Sequence, residues 1–593
     1  MRDVIVVGAG GGGPVVAKEL AARGLDVLML EAGPRHADPS EEWTHYENDA
    51  NNPLSGYLRF GPADRSKPAW YRETPQNSFL WQLSGVGGTT QHYLGNNPRA
   101  YPGVFAGYDK EDRNAYDTGH LFPFSYSELL PYYEWVEDTL PVQTAAMGTK
   151  ESVFFRGCEA LGLPLQKTRN TSENSYRPQE NAILQPGGFA GKVTGYDDPR
   201  LSYPQATGCT FCGYCVIGCK HPHGAPRSLA AKRSTDNSYV PMALTADRWS
   251  PSGKPVTLVT DAFVTKVHTE QRGGETVASG VTWRVGETGE EHREDAKVVV
   301  LAAGCTENPR LWFNSGLPNP NDWVGHGYTD HFFDWVIGVF DEYTGSSKGT
   351  GSSARSDWPG RGGVMNVGVP PALQQFTMTF SDSGIRGQYG NGRGNTGPWD
   401  GPMGRLMGPE LKDIFMHGID RMFCMLIMTD DDVEAQNRVT LSSMPADEHG
   451  PIAKVQMHGR QRTRRTIANR DYLVRRAVEI ARGAGAKQVL RLDWPPLILH
   501  VQSTMRMGLS EGDSVTDANG QARWVKQLYA ADNSVLANAL GGPNPTLTTQ
   551  AVATRISEKI FTDQFGGDSW VRSEAPVVST DARVTQGLAA LGR

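Results

Sequence analysis

The amino-terminal part of the chain alternates between apolar runs and glycine. Val4 to Val7 is an apolar, β-branched run that ends in glycines, and a second, mostly apolar run covers 25–30. Between them, apolar side chains recur at helical spacing from Val15 to Arg23. The order of a strand, a glycine turn, a helix and a second strand is typical of a βαβ unit.

Three glycines and one acid in this unit fit a dinucleotide-binding pattern. Gly8, Gly10 and Gly13 follow G-x-G-x-x-G, and Glu31 follows the second strand. Gly8 permits a tight turn, Gly10 lets a pyrophosphate approach the backbone, and Gly13 lets the helix pack closely on the strand. The helix N-terminus then faces the phosphates, and Glu31 is expected to accept a ribose hydroxyl. The pattern predicts a nucleotide cofactor and leaves NAD and FAD open.

Apolar patterns predict further strands and helices in the middle of the chain. Two alternating segments are typical of paired strands, and an apolar run leads through a glycine turn into a helix. Two later strands precede a helix with apolar side chains on one side. The ranges are 261–268 and 280–285 for the paired strands, 297–303 for the apolar strand, 421–428 and 438–442 for the later strands, and 464–484 for the helix. This mixture predicts an α/β fold.

Two segments rich in small residues are predicted to be loops. Gly87, Gly88, Thr89 and Thr90 form a second glycine turn, which suits close contact with a phosphate or a flavin edge. The segment 344–409 is rich in Gly, Ser and Asn. A loop of this length in a compact protein is typically a lid, a binding loop or a disordered segment.

Length and charge limit the classes of protein to consider. The chain has 593 residues, more than the roughly 100–200 of one domain, so two or more domains are expected. Its net charge of −7 argues against a nucleic-acid partner. Its longest apolar runs are far shorter than the roughly 20 residues of a membrane helix. The first strand starts by about Asp3, which leaves no room for a secretory signal. We expect a cytoplasmic protein, or a periplasmic one exported with a signal-bearing partner.

The carboxyl-terminal part holds an imidazole and an amide 44 residues apart. His500 begins H-x-x-x-T-x-R-M-G, and Asn544 precedes Pro545 and Thr546. Histidine titrates near neutral pH, which makes it a natural base for a hydroxyl proton. Pro545 suits the first turn of a helix. A structural histidine and a turn asparagine are the alternative interpretations.

Together, these motifs resemble the glucose–methanol–choline oxidoreductases, a family of FAD-dependent alcohol oxidases and dehydrogenases. The resemblance covers nearly the whole length. Within the family, the chain looks similar to the sugar-active branch, which includes pyranose oxidase, the glucoside 3-dehydrogenases and the flavoprotein subunits of gluconate and fructose dehydrogenases. Ser503 and His326 are departures, because Gly is usual in the family at the first position and Arg is common at the second. Besides the first glycine unit, the matching segments are 87–90, 302–310, 324–331, 437–442 and 500–549.

The resemblance implies a Rossmann-type FAD-binding domain interleaved with a substrate domain built on an antiparallel sheet with helices. The FAD-binding domain is expected over 1–110, 205–340 and 500–593, and the substrate domain with its lid loops over 111–204 and 341–499. His92 is expected either to be bonded covalently to the flavin or to lie beside it. The residues expected to contact the cofactor are Gly8, Gly10, Gly13, Glu31, Gly87, Gly88, Thr89, Thr90, His92, Ala303, Gly304, Asp532, Asn544, Pro545 and Thr546.

The implied reaction is the oxidation of a secondary alcohol, on a sugar, glycoside or sugar acid, to a ketone. His500 would take the hydroxyl proton, Asn544 would hold the substrate oxygen, and the flavin N5 would receive the hydride. An apolar alcohol such as a sterol or long-chain alcohol is an alternative substrate. A non-catalytic electron-transfer subunit and an NAD-dependent enzyme are alternative functions.

Four cysteines bear on the electron acceptor. Cys209, Cys212, Cys215 and Cys219 have the C-x2-C-x2-C-x3-C spacing of a ferredoxin run, which predicts an iron–sulfur cluster. Packed thiols, a local disulfide and a zinc site are alternatives. A cluster would pass single electrons to a cytochrome or quinone and make the enzyme a dehydrogenase, the expectation we favour, with a small accessory subunit. Without a cluster, oxygen could be the acceptor.

Overall fold

A computed structural model of the chain describes residues 1–35, 57–60, 70–75, 79–107, 115–145, 147–184, 208–217, 219, 231–286, 288–368, 370–371, 374–375, 378, 408–457, 462–492 and 497–584. Its strands are β1 Arg2–Val7, β2 Val27–Leu30, β3 Tyr57–Phe60, β4 Trp70–Glu73, β5 Phe79–Leu80, β6 Gln143–Thr144, β7 Ser175–Pro178, β8 Glu180–Asn181, β9 Thr257–Val259, β10 Ala262–Arg272, β11 Glu275–Val285, β12 Glu291–Leu301, β13 Asp334–Val339, β14 Ala354–Trp358, β15 Gly362–Val367, β16 Met422–Thr429, β17 Arg438–Leu441, β18 Ala453–Gln456, β19 Gln488–Leu492, β20 Leu497–Ile498 and β21 Leu528–Ala530. Its α-helices are Gly13–Ala22, Gly103–Ala106, Tyr126–Thr139, Thr149–Ala160, Tyr239–Leu244, Ala246–Trp249, Gly304–Asn314, Gly408–Asp413, Arg464–Gly483 and Thr546–Phe565.

A parallel sheet forms around the predicted βαβ unit. β1 pairs with β2 and β12, β2 pairs with β9, and β12 pairs with β21, all in parallel. The carboxyl ends of these strands lie at one edge, so the residues that follow them, Gly8, Glu31, Ala302 and Ala531, come together there. In open α/β sheets this edge is where ligands bind. The predicted strand at 297–303 therefore does join the first sheet.

Hydrophobic packing holds this sheet between helices. Val4, Ile5 and Val6 of β1 are fully buried. The helix Gly13–Ala22 is buried along its whole length and packs against the helix Thr546–Phe565. β10 and β11 form the predicted strand pair, which is antiparallel and continues onto the first half of β12. None of the described helices has the length and apolar content to cross a membrane.

A second, antiparallel sheet has the strand order β19-β13-β16-β15-β14-β7. Its β14 and β15 lie in the segment 344–409, so the prediction of one continuous loop there is wrong. β14 has no apolar pattern in the sequence, because it buries charged residues. The guanidinium groups of Arg355 and Arg177 donate hydrogen bonds to Asp357 at 2.6 and 2.7 Å. The glycine-rich stretch 387–395 lies outside the described residues.

Apolar side chains cover both faces of this second sheet at its strand β16. Phe423, Met425 and Ile427 of β16 pack on one face with the helix Arg464–Gly483. That helix buries Leu473, Ala477 and Ile480, as predicted, and Ile467 is half-buried. The side chains of β16 that alternate with these, Cys424, Leu426 and Met428, lie on the other face. The predicted α/β fold, with a parallel Rossmann-type sheet beside an antiparallel sheet, is confirmed.

Candidate active site

One cavity of about 340 Å³ reaches from the edge of the parallel sheet to the second face of the antiparallel sheet. Most of the residues predicted to form the site line it, whereas Gly13 and Gly87 do not. The cavity therefore brings the glycine turns and the carboxyl-terminal histidine–asparagine pair together. The predicted residues in its lining are Gly8, Gly10, Glu31, Gly88, Thr89, Thr90, His92, Ala303, Gly304, His500, Asp532, Asn544, Pro545 and Thr546.

The first glycine turn has the shape that a pyrophosphate needs. A Cβ atom on Gly8, where φ is 105°, would lie 2.3 Å from the carbonyl oxygen of Ala302. A Cβ on Gly13 would lie 2.0 Å from the carbonyl oxygen of Gly8, so strand and helix are in direct contact. A Cβ on Gly10 would meet no described atom within 4 Å. Gly10 thus presents bare backbone to the cavity, and the cradle fits the diphosphate of a dinucleotide.

Two buried carboxylates hold the loops of the cradle. Glu31 accepts hydrogen bonds from the backbone N–H groups of Ala9 at 2.7 Å and Gly33 at 2.9 Å. Asp532 accepts from the N–H of Gly304 at 2.7 Å and from Asn308 Nδ2 at 2.9 Å. Burial raises the pKa of both carboxyl groups, and these donors oppose that shift. The two acids shape the loops as well as line the cavity.

The second glycine turn packs directly on the first. Gly88 has φ of 48°, and a Cβ there would lie 2.8 Å from Gly10 Cα. Gly87, with φ of 100°, lies behind the turn, and its carbonyl oxygen accepts from Thr90 Oγ1 at 2.5 Å. Thr89 and Thr90 line the cavity beside Gly88. Two turns distant in sequence thus form one wall of the cradle.

His92 has a defined orientation in the same wall. Its Nδ1 lies 3.3 Å from the carbonyl oxygen of Val216. A carbonyl oxygen can only accept, so Nδ1 of His92 carries a proton. Lys232 fixes the same neighbourhood, because its Nζ donates to the carbonyl oxygens of Gln91 and Cys215 at 2.7 Å. The cysteine segment thus forms the support behind His92.

The cysteines themselves do not form a metal site within the described part of the chain. All four are free thiols, and no group of three or more His, Cys, Asp or Glu side chains among the described residues could hold a metal ion. Cys209, Cys215 and Cys219 instead pack with Ile183 and Leu184 in an apolar cluster. Burial raises the pKa of Cys219 to about 12, so the thiol stays protonated.

The iron–sulfur cluster finds no support in the described part of the chain and stays a prediction. Metal ligation needs thiolates that converge on one point. The spacing of the four cysteines along the sequence does not determine whether their sulfur atoms converge. In the structure, three of them pack in an apolar cluster. His221 and His223, which follow the run, lie outside the described residues.

A chain of hydrogen bonds sets the protonation of the catalytic candidate His500. His331 Nε2 lies 3.0 Å from the carbonyl oxygen of Ala539 and must donate to it. His331 Nδ1 of the neutral ring is then an acceptor, and it lies 2.9 Å from His500 Nδ1, which donates. This leaves the lone pair of His500 on Nε2, 3.3 Å from Asn544 Nδ2. This chain from Ala539 through His331 to His500, called the relay below, leaves the unprotonated Nε2 of His500 facing the amide of Asn544.

Burial keeps both rings neutral. It lowers the pKa of His331 to about 4 and that of His500 well below its usual value. Each ring then has one donor and one acceptor nitrogen near neutral pH, as the relay requires. Asp330 holds the backbone of both residues, since its Oδ1 accepts from the N–H groups of His331 at 3.0 Å and His500 at 2.9 Å.

Asn544 has one polar atom left for a ligand. Its Nδ2 faces His500, whereas its Oδ1 has no hydrogen-bond partner among the described residues. The helix Thr546–Phe565 begins immediately after it, with Pro545 at the N-cap and the helix N-terminus on the cavity. Positive electrostatic potential from that end therefore reaches the cavity.

Sequence reasoning missed several residues of this site. Asp330 and His331 lie in the matched segment 324–331 but were assigned no role, although two adjacent ionisable residues there were a usable signal. Asn96 and Gln374 in the cavity wall were not recognised, because neither lies in a motif. Ser503 has φ of 77°, in the region that favours glycine, which explains why Gly is usual there.

Two family models match the chain. The amino-terminal and carboxyl-terminal models of the GMC oxidoreductases, the glucose–methanol–choline family, cover residues 178–333 and 433–553. The chain belongs to the GMC oxidoreductase family. It is an FAD-dependent oxidoreductase that acts on CH–OH donors.

Characterised relatives of this GMC oxidoreductase differ in substrate. The 2-methyl-1,2-propanediol dehydrogenase of Mycolicibacterium austroafricanum is 26% identical over 94% of this chain and 95% of its own length. The paromamine 6'-oxidase of Streptomyces fradiae is 25% identical over 95% and 91%. The large subunit of fructose dehydrogenase from Gluconobacter japonicus is 24% identical over 95% and 98%.

Solved structures share the fold. Pyridoxine 4-oxidase from Mesorbium loti superimposes with a TM-score of 0.55 at 16% identity and covers 94% of this chain and 99% of its own. Formate oxidase from Aspergillus oryzae RIB40 has a TM-score of 0.55 at 13% identity, over 95% and 99%.

The glycine cradle predicts different effects for two similar substitutions: one should weaken FAD binding and the other should lower stability. Gly10→Ala adds a methyl group into open space, so the apoprotein should keep its thermal stability while FAD affinity falls at least about tenfold through loss of close approach. Gly13→Ala forces helix and strand apart and should lower the melting temperature of the apoprotein by several degrees. Differential scanning fluorimetry and FAD titration measure both. Equal loss of stability in the two variants would contradict this account.

The relay predicts a positioning role for His331. His331→Phe removes the acceptor for His500 Nδ1–H, so the proton can move to Nε2 and block the base. Flavin reduction by an alcohol should slow by about tenfold or more, as expected for a wrong tautomer, with FAD binding unchanged. Stopped-flow absorbance measures the rate. His326→Phe, outside the cavity lining, is the control, and equal rates in wild type and His331→Phe would refute the relay.

Proposed function

We propose that this GMC oxidoreductase oxidises a secondary alcohol to a ketone, with His500 as the base and Asn544 as the partner of the substrate oxygen. The observation that supports this most strongly is the hydrogen-bond chain from Ala539 through His331, which leaves the lone pair of His500 on Nε2. That nitrogen lies in the cavity shared with the nucleotide cradle. Asn544 Nδ2 lies 3.3 Å from this nitrogen, so the proposed base and a hydrogen-bond donor are adjacent.

The arrangement accommodates a hydroxyl between the two side chains. The 3.3 Å contact from Asn544 Nδ2 to His500 Nε2 is long for a hydrogen bond. A substrate hydroxyl can accept from Asn544 and donate its proton to His500, while His500 Nδ1–H still donates to His331. FAD, when bound, supplies the acceptor for the hydride. Burial excludes water that would compete for the base.

The domain division predicted from the sequence is retained as part of this proposal. The cytochrome or quinone acceptor, the accessory subunit and the cytoplasmic or co-exported location stay predictions. A non-catalytic electron-transfer subunit is disfavoured, because the described site keeps an oriented base. An NAD-dependent enzyme is disfavoured, because the chain belongs to a flavoprotein family.

The substrate side of the cavity supports a second candidate. The predicted sugar, glycoside or sugar acid stays a prediction, and relatives act on sugars, diols and long-chain alcohols according to their names. The walls, however, are largely apolar, which favours an alcohol with an apolar body. The apolar residues on this side are Trp335, Ile337, Met365, Val367, Met378, Cys424 and Leu426.

Removal of the base tests the proposal. His500→Ala should reduce the rate of flavin reduction by about 10²- to 10⁴-fold, because general-base catalysis typically contributes this much. Visible absorbance should show that FAD remains bound, since the cradle is untouched. His292→Ala, a substitution on β12 outside the cavity lining, should leave the rate unchanged. A His500→Ala variant that bleaches at the wild-type rate would refute the assignment.

The alternatives for His92 can be separated by acid precipitation. Covalent attachment is supported by the orientation of His92, whose Nδ1 lies 3.3 Å from the carbonyl oxygen of Val216, and by its position in the cavity wall. If the bond exists, the yellow colour should precipitate with wild-type protein and remain in the supernatant with His92→Ala. Colour released from the wild type as well would establish His92 as a non-covalent neighbour.

A further inference from the structure

Two amide side chains interrupt the apolar side of the cavity. Asn96 follows the second glycine turn, and Gln374 lies beyond β15. Both line the cavity, and both are only 2% exposed to bulk solvent. They are separate from the His500–Asn544 pair and have no role in the proposed proton transfer.

In each amide, the nitrogen donates a weak hydrogen bond to sulfur, and the oxygen has no hydrogen-bond partner among the described residues. Asn96 Nδ2 donates to Met365 Sδ at 3.3 Å, and Gln374 Nε2 donates to Cys424 Sγ at 3.5 Å. Sulfur is a weak acceptor. Asn96 Oδ1 and Gln374 Oε1 have no hydrogen-bond partner among the described residues. Rotating either amide by half a turn exchanges its two ends, so one end still meets sulfur and the other still lacks a partner.

The two amides contact the same part of the cavity wall, on one face of β15 and β16. Met365 of β15 pairs with Leu426 of β16, and Val367 pairs with Cys424. Met365 and Cys424 are therefore diagonal neighbours on one face, roughly 7–8 Å apart. The amides that contact their sulfur atoms consequently lie over one small area of the sheet.

A buried polar atom without a partner destabilises the protein unless a ligand satisfies it. Here the two unpartnered oxygens are hydrogen-bond acceptors, and the same cavity is lined by Met365, Val367 and Leu426. The ligand group that suits them is a hydroxyl on an otherwise apolar molecule. A sugar would place further hydroxyls against Met365 and Leu426 without partners, which is costly.

We propose that Asn96 and Gln374 form a second polar subsite that binds one hydroxyl of the substrate at a distance from the carbon that is oxidised. The substrate class is a diol with an apolar skeleton. This inference rests on the proposed function and assigns its specificity to residues outside the catalytic pair.

Matched alcohols test the subsite. Anaerobic flavin reduction is followed with secondary monoalcohols, with diols of the same carbon skeleton that vary the spacing of the second hydroxyl, and with a pyranose. Wild-type protein should show an apparent Kd about tenfold lower for the best diol than for its monoalcohol, the effect of about one hydrogen bond. Asn96→Leu and Gln374→Met should reduce this ratio toward one.

A control on the same strand separates specificity from packing. Asn366 lies between Met365 and Val367 on the opposite face of β15, is fully buried and does not line the cavity. Asn366→Leu should keep the diol preference. Without substrate, Asn96→Leu and Gln374→Met should keep or raise the melting temperature, because each removes an unpartnered polar group.

The outcomes distinguish the two levels of the proposal. Faster reduction by the pyranose than by every diol, or a diol preference that survives both substitutions, would overturn the subsite while the alcohol oxidation stands. Flavin that no alcohol reduces would overturn the proposed function and the subsite with it. A fall in melting temperature with an unchanged ratio would show that the amides serve only packing.

Discussion

The common edge at which β1, β2, β12 and β21 end is the constraint on which the rest of the site depends. Parallel pairing forces the residues after these strands into one crevice, although β21 follows β12 by more than two hundred residues. The crevice is narrow because Gly8 and Gly13 place backbone against backbone. A side chain on Gly8 would push against the backbone of Ala302, and one on Gly13 would separate strand from helix, so either would displace the loops that Glu31 and Asp532 hold.

A second constraint comes from the short segment before the last helix. The carbonyl oxygen of Ala539 starts the relay through His331 and His500, and Asn544 meets its other end. One loop therefore supplies both the acceptor that fixes the proton positions and the amide that faces His500. Gly541, with φ of 84°, anchors this loop through its N–H to Asp430 Oδ1 at 3.1 Å. Movement of the loop would disturb both ends together.

Local patterns were predictable from the sequence, and pairings between distant segments were not. The unit from β1 to β2 was recognised because its glycines and apolar runs are adjacent in sequence. β14 was missed because Arg355 and Asp357 neutralise each other inside the sheet, which no hydrophobic pattern reports. The relay was missed because His331 and His500 are 169 residues apart and a backbone carbonyl has no sequence signature. Cysteine spacing likewise carried no information about burial.

Burial of His500, the proposed base, has two opposing consequences. It lowers the pKa of His500, which weakens the base, because an imidazolium in an apolar surrounding loses its hydration. It also removes water, so a substrate hydroxyl meets only the lone pair of Nε2 and the N–H groups of Asn544, and each hydrogen bond there is stronger than in water. The hydrogen bond to His331 offsets the weakening of His500, because His500 Nδ1–H keeps its acceptor whether or not Nε2 is protonated. An apolar chamber is then compatible with proton removal, provided that the substrate brings few polar groups besides the hydroxyl that reacts.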